Sequence, residues 1–162
     1  MDRRPRRPVP RAWRRALVRT CGGLALAGTA LAASAAVSPN IVAVQPDQLT
    51  AYWVMTNTSL NVDVPNAGVN LDKPTCSAVT YMIGADGVTR DIVVRKTIPA
   101  GDLATVAKSA VKDMHYAPGA RNAERQPVFT YLIVPFNLPA DPAARQRITD
   151  ACKLEGFPRG YR

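Results

Sequence analysis

Hydrophobic and polar side chains alternate through the middle of this 162-residue chain. Residues 78–83 have large apolar side chains at every second position. These are Val79, Tyr81 and Ile83. Residues 84–87 (GADG) provide a tight turn, because an Asp-Gly step tolerates the positive φ that such turns need. Since the alternation resumes over residues 88–97, the pattern predicts a β-hairpin.

The period changes to that of an α-helix after Pro99. Apolar residues then recur at the three- and four-residue steps of one helical stripe. They are Leu103, Val106, Ala107, Ala110, Val111 and Met114. Asp102 stands at the start of the stripe, where a carboxylate can cap free N–H groups. The helix is expected to end near His115, because a Pro-Gly step follows at residues 118–119.

Two further elements are predicted after this helix. Residues 127–138 alternate again and predict a last strand, with Pro135 at a sheet edge or a bulge because proline has no N–H. A final helix starts at Asp141-Pro142, a cap followed by proline at the first helical position, and ends at Gly156. Residues 157–162 are expected to form a tail.

The region before the hairpin is less regular. Residues 36–50 hold two prolines and no sustained period, so they are interpreted as a linker. Residues 51–64 are rich in β-branched and aromatic types and predict one or two strands. The predicted domain therefore spans residues 51–156. It is an α+β fold with a small antiparallel sheet (hairpin, helix, strand), helices packed on one face, and an added C-terminal helix.

The N-terminal segment has the layout of a secretory signal. Eight of the 21 Lys and Arg residues lie in the first 19 positions, and an apolar, small-residue stretch follows over residues 22–37. We expect residues 1–35 to be a cleaved signal peptide, with an uncleaved signal-anchor as the alternative. The rest of the chain has 13 basic and 11 acidic residues, too little excess charge to favour a nucleic-acid partner. The expected location is the periplasm.

Two cysteines remain beyond the signal, Cys76 and Cys152. An even count in an oxidising compartment predicts one disulfide, with two buried thiols as the alternative. A catalytic pair of Cys76 with His115 is a weaker hypothesis, and no local cysteine pair favours a metal site. Asp86 and Asp91 are expected to be solvated turn and strand residues rather than an acid–base pair. We predict no enzyme activity and no cofactor.

Trp53 and Tyr52 are the remaining candidates for a site. They are adjacent aromatic residues in a predicted strand and can be interpreted as a ligand site. A strand of this composition more often buries such residues in the core.

The region from Val79 to Leu138 resembles the C-terminal domain of the TonB family of energy transducers. The matching segments, in order, are VTYMIGADGVTRDIVVRKT, LATVAKSAVKDM, Tyr116-Ala117-Pro118-Gly119, Arg121-Asn122 and PVFTYLIVPFNL. The resemblance implies that the last strand binds an extended segment of an outer-membrane TonB-dependent receptor by strand addition. The implied binding residues are Val128, Phe129, Thr130, Tyr131, Leu132, Ile133 and Val134.

The resemblance implies a periplasmic protein-binding module linked to energy-dependent transport across the outer membrane. Two alternatives remain open. The strand edge can be covered, either by residues 51–64 or by the helix that carries Cys152. The fold can also serve an envelope structural or assembly role without energy transduction, because this chain has no long Pro-rich spacer and no histidine in residues 22–37. Free strand edges also allow a homodimer.

Overall fold

The computed structural model describes residues 40–161, so the predicted signal segment lies outside the described residues. Six strands, a 3-10 turn and three α-helices make up the described part. In chain order they are β1 (Val42–Ala43), the 3-10 turn (Pro46–Gln48), α1 (Leu49–Tyr52), β2 (Trp53–Met55), β3 (Thr75–Ile83), β4 (Thr89–Ile98), α2 (Leu103–Lys112), β5 (Tyr116–Pro118), β6 (Val128–Phe136) and α3 (Pro142–Ala151). The fold class is α+β.

The predicted hairpin is confirmed as β3 and β4. Gly87 has φ 81°, which a glycine adopts without strain, and the Gly84 N–H donates to the Val88 carbonyl at 3.0 Å. The Val88 N–H donates to the Asp86 carboxylate at 3.2 Å, so the Asp-Gly step closes the turn as expected.

The sheet is mixed rather than purely antiparallel, which corrects the prediction. Its strand order is β1-β6-β3-β4, and β3 pairs antiparallel with β4 on one side and with β6 on the other. β1 runs parallel to β6, pairing Val42 with Val128 and Ala43 with Phe129. A separate two-stranded sheet joins β2 to β5.

Helices pack on both faces of the sheet, whereas the sequence had favoured one face. On the α2 face, Val79, Tyr81 and Ile83 pack in the same core cluster as residues of α2. On the opposite face, the α3 face, Cys76 and Ala78 pack with the end of α3 and the residues that follow it. The reason lies in β3, where Cys76, Ala78 and Thr80 on the α3 face are as fully buried as Val79, Tyr81 and Ile83 on the α2 face.

Residues 41–50 belong to the folded domain, so the linker prediction is wrong for them. They form β1, the 3-10 turn and the start of α1, and Val44 is only 3% exposed in the α2-face core. Only Trp53–Met55 form a strand within residues 51–64. Residues 60–64 find no strand partner, because the N–H groups of Asn61 and Asp63 bond to side chains at the end of α2 instead.

Residues 157–161 are also packed, which corrects the tail prediction. The ring of Phe157 is 6% exposed and lies 5.4 Å from Phe129 and 4.9 Å from Tyr131, centroid to centroid.

One of the two predicted helix caps is not formed. Asp102 makes no side-chain cap of α2 and instead accepts the Val69 N–H at 2.7 Å. Asp141 does cap α3, accepting from Ala143 and Ala144.

Candidate partner-binding edge

The outer edge of β6 is only partly paired. The N–H groups of Val42 and Val44 donate to the carbonyls of Pro127 (3.1 Å) and Phe129 (2.9 Å). The backbone groups of Phe129 therefore point away from β3. Because strand residues alternate, those of Tyr131 and Ile133 point the same way. Within residues 40–161, no further backbone hydrogen bond joins this edge beyond Phe129.

Pro135 fits this geometry. It lies opposite Cys76 in the β3–β6 register, two residues after Ile133, so its nitrogen also faces outward. Its missing N–H removes no hydrogen bond to β3, which is why proline is tolerated here. The prediction that Pro135 belongs at a sheet edge is confirmed. An added strand would find no donor at this position, so Pro135 ends the open stretch.

The strand itself is neutral and regular. No Asp, Glu, Lys or Arg occurs between Val128 and Phe136. β6 pairs with β3 over nine consecutive residue pairs, from Thr75–Phe136 to Ile83–Val128, without a register shift. Edges of this kind are suited to pairing with another strand, because neither charge nor a bulge opposes it.

The structure places the seven predicted binding residues in two groups. Val128 and Phe129 are already paired with β1, so this part of the predicted edge is occupied. The rest of the stretch, Thr130 to Val134, has β3 as its strand partner. Neither of the covers considered from the sequence is the one observed: residues 42–44 cover the edge, whereas α3 packs on the sheet face.

Residues 41–44 are the part of this site that sequence reasoning missed. Their sequence is Ile-Val-Ala-Val, an apolar and largely β-branched run bounded by Asn40 and Gln45. That composition favours a strand and was the available signal. A stretch this short between two prolines does not reveal a period, so its pairing with β6 could not be anticipated.

Cys76 and Cys152 form the predicted disulfide, with an S–S distance of 1.99 Å. Both residues are fully buried. The bridge joins the middle strand of the sheet to the end of α3, where it holds the residues that follow α3 against the sheet. Cys76 is therefore not a free thiol, which removes the nucleophile of the proposed Cys–His pair. His115 lies at the hairpin end, beside Val88, while Cys76 pairs with Ile98 at the opposite end of β3.

The other candidate residues have structural contacts. Asp86 forms an ion pair with Arg90 at 2.6 Å, and this hydrogen bond holds the pKa of the Asp86 carboxyl well below its usual range. Asp91 lies in an irregular part of β4 with φ 51°. Trp53 is 1% exposed and donates its indole N–H to the Gln126 carbonyl at 3.1 Å, which places it in the core.

The guanidinium carbon of Arg121 lies over the ring of Tyr52, 5.1 Å from the ring centroid. Among the described residues, no group of three His, Cys, Asp or Glu side chains is arranged to hold a metal ion. The helices between residues 40 and 161 are all too short or too polar to cross a membrane.

Comparison with known proteins leaves the chain without a match. No protein-family model, no curated protein and no solved structure is significantly similar to it. The function is therefore argued from the residues and the geometry of the β6 edge.

Proposed function

We propose that this chain is an exported protein-binding module that accepts an extended segment of its partner along the outer edge of β6. The observation that carries the proposal is the outward backbone of Tyr131 and Ile133, which has no hydrogen-bond partner among residues 40–161. It lies in a neutral strand without a bulge. An added strand satisfies these groups and extends the sheet.

The affinity of such a complex comes mainly from backbone pairing. Each ladder hydrogen bond contributes about 0.5–1.5 kcal/mol net. Specificity comes from side chains on alternating sides of the added strand. Leu132 and Val134 border it on the α2 face, where both pack against the core. Tyr131 and Ile133 border it on the α3 face. All four have large, apolar bodies, so apolar partner residues fit best at both sides.

The resemblance to TonB C-terminal domains supports an outer-membrane TonB-dependent receptor as the partner and energy-dependent transport as the process. The basic and apolar N-terminal pattern supports a periplasmic location. Backbone recognition of this kind needs no cofactor or catalytic group.

A second candidate is an envelope structural or assembly role for the same binding edge. One observation favours it. Residues 41–50, which would contribute to a spacer in an energy transducer, are packed against the sheet through β1 and Val44. They are therefore not available as an extended connection.

Site-specific photocrosslinking tests the binding edge. A photoreactive residue is placed at Leu132 on β6 or at Lys96 on β4, and the envelope fraction is analysed for crosslinked partners. We expect a discrete product from position 132 and none from position 96. Ile133→Pro should abolish the product, because it removes the outward N–H while leaving the bonds to β3. Ile133→Val, which keeps the N–H, should retain it.

Equal products from both edges would contradict the proposal, as would a product that survives Ile133→Pro. The melting temperature of each variant, measured in parallel, separates loss of binding from loss of fold. Deletion of the gene tests the process separately. Normal siderophore and vitamin uptake in the deletion strain would remove the transport role and leave the binding role.

A further inference from the structure

The edge of β6 already holds a strand of this chain. β1 lies along it in parallel, and the N–H groups of Val42 and Val44 supply hydrogen bonds to Pro127 and Phe129. The side chain of Gln126 donates to the Asn40 carbonyl at 3.2 Å and completes this docking. β1 thus makes the kind of contact that an added partner strand would make.

The residues of this segment differ in how deeply they are buried. Val44 is almost fully buried in the α2-face core, and the 3-10 turn follows two residues later. Val42 and Ala43 are only half-buried. Lifting residues 41–43 away from β6 breaks the hydrogen bonds from the Val42 and Val44 N–H groups to Pro127 and Phe129, while the buried side chain of Val44 can stay in the core. The chain would turn at Val44 in such a movement.

We infer that residues 41–43 are an internal competitor for the β6 edge, and that the partner strand displaces them. This inference rests on the function proposed above. Displacement adds the outward backbone of Phe129 to that of Tyr131 and Ile133. The paired stretch then covers the whole predicted site, from Val128 to Val134. The competitor lowers the apparent affinity for the partner and restricts binding to segments that outcompete it.

The competitor also indicates the chemistry of the partner segment. Residues 41–44 and the facing strand are free of charged residues, and an unpaired charge brought to this edge would lose hydration without compensation. In β1, Val42 and Val44 face the α2-face core, while Ile41 and Ala43 pack toward the α3 face. We expect an uncharged partner segment with β-branched residues at alternate positions.

A cavity beside Ile41 favours particular side chains at one of these alternate positions of the partner segment. On the α3 face, a space of about 380 Å³ borders Ile41 and has an apolar lining with one acidic and one basic side chain. Its other lining residues are Met82, Asp91, Val93, Arg95, Phe129 and Tyr161. The partner residue that replaces Ile41 would border the same space, so a larger apolar side chain than isoleucine can be accommodated there.

Peptide binding to the full chain tests the inference. The probe is a fluorescein-labelled peptide with the sequence of residues 40–45 (NIVAVQ), and affinity is measured by fluorescence anisotropy. Val42→Pro removes the N–H that bonds to Pro127 and should loosen β1. Val42→Ala, which keeps that N–H, is the matched control. We expect Val42→Pro to bind the peptide about tenfold more tightly than the wild type, equivalent to roughly one or two hydrogen bonds.

Addition of Ile133→Pro to Val42→Pro should abolish binding, and a peptide with aspartate in place of the residue equivalent to Ala43 should not bind. Equal affinity of the wild type, Val42→Ala and Val42→Pro, with binding lost in Ile133→Pro, would overturn the competitor and leave the binding edge intact. Failure of Val42→Pro to bind the peptide would also overturn the inference that residues 41–43 compete for the edge. Whether the β6 edge binds a partner at all is then decided by the crosslinking experiment. If Val42→Pro fails to fold, Val42→Gly provides a weaker test: it keeps the N–H but loosens β1 through its greater backbone freedom, so its gain in affinity should fall between those of Val42→Ala and Val42→Pro.

Discussion

The two edges of the main sheet are built in opposite ways. β4 carries four charged residues, Arg90, Asp91, Arg95 and Lys96, and its pairing with β3 shifts register twice. β6 carries none and pairs with β3 without a shift. Charges and bulges are standard protection against unwanted strand pairing. The comparison teaches that charges and irregular pairing protect the β4 edge, whereas β1 and the Val44 N–H cover only one end of the β6 edge.

The largest expected effect on stability comes from loss of the disulfide, which joins β3, the neighbour of β6, to the end of α3. Replacing both Cys76 and Cys152 with serine opens a loop with a sequence separation of 76 residues. We expect the free energy of unfolding to fall by about 4 kcal/mol, because the unfolded chain is no longer constrained. Urea unfolding measures the change. In a reducing buffer the variant and the wild type should become nearly equal, and a loss below about 1 kcal/mol in oxidising buffer would contradict the expectation.

Removal of the Phe157 side chain should show that the segment after α3 is structural. Phe157→Ala leaves a cavity against Phe129 and Tyr131 and is expected to cost about 3 kcal/mol. Val93→Ala on β4 is the comparison, because Val93 faces the same side of the sheet but is 40% exposed. Its cost should stay below about 1 kcal/mol. Similar costs for both variants would show that the α3 face is packed equally well over β6 and over β4.

The irregularity in β4 can be tested at Asp91. Its φ of 51° lies in the left-handed region, which β-branched residues adopt only with strain. Asp91→Val should therefore cost about 1–2 kcal/mol, whereas Asp91→Gly should change the stability by less than about 0.5 kcal/mol. Thermal unfolding of the two variants gives the values. A stable Asp91→Val protein would mean that the strand regains regular pairing and that β4 is a usable edge.

The smallest effect is a change in pH dependence at the hairpin turn. Arg90 lowers the pKa of Asp86 in the folded state, so the pair contributes stability above the unfolded pKa of about 3.9. That contribution is lost as pH falls through the lower, folded pKa. The gap in melting temperature between wild type and Arg90→Gln should therefore be small at pH 6 and should narrow toward pH 2. A difference in melting temperature that widens on acidification would show that the Asp86–Arg90 ion pair does not stabilise the folded state.

Local patterns in the sequence were sufficient for several elements. The alternation around Tyr81, the Asp-Gly turn and the apolar stripe from Leu103 to Met114 each depend on neighbours within one turn or one strand. The same holds for the cap at Asp141. The helix α2 ends at Lys112, close to the expected position near His115. For the proposed binding edge, the sequence predicted the strand β6 and the place of Pro135 at a sheet edge or a bulge.

Long-range contacts account for the features that were missed. Residues 41–44 are too few to show a period, and their pairing depends on β6, more than 80 residues away along the chain. Phe157 lies between Gly156 and Pro158, beyond the end of α3 at Ala151 and after the predicted helix end at Gly156, so nothing local indicates that it packs on Phe129. In residues 60–64 an alternating pattern was present, but contacts with α2 replaced the expected strand pairing.

By itself the sequence determined the hairpin of β3 and β4, the helix α2, the strand β6 and the start of α3, and that Cys76 and Cys152 are the cysteines to pair; the short strand β5 was not predicted. Side-chain period and turn chemistry are local properties, so they can be recognised without a partner. Only the tertiary structure decided that β1 lies on the β6 edge and that helices cover both faces of the sheet. Those arrangements depend on which surfaces bury each other, and a pattern within one segment carries no information about the segment that will cover it.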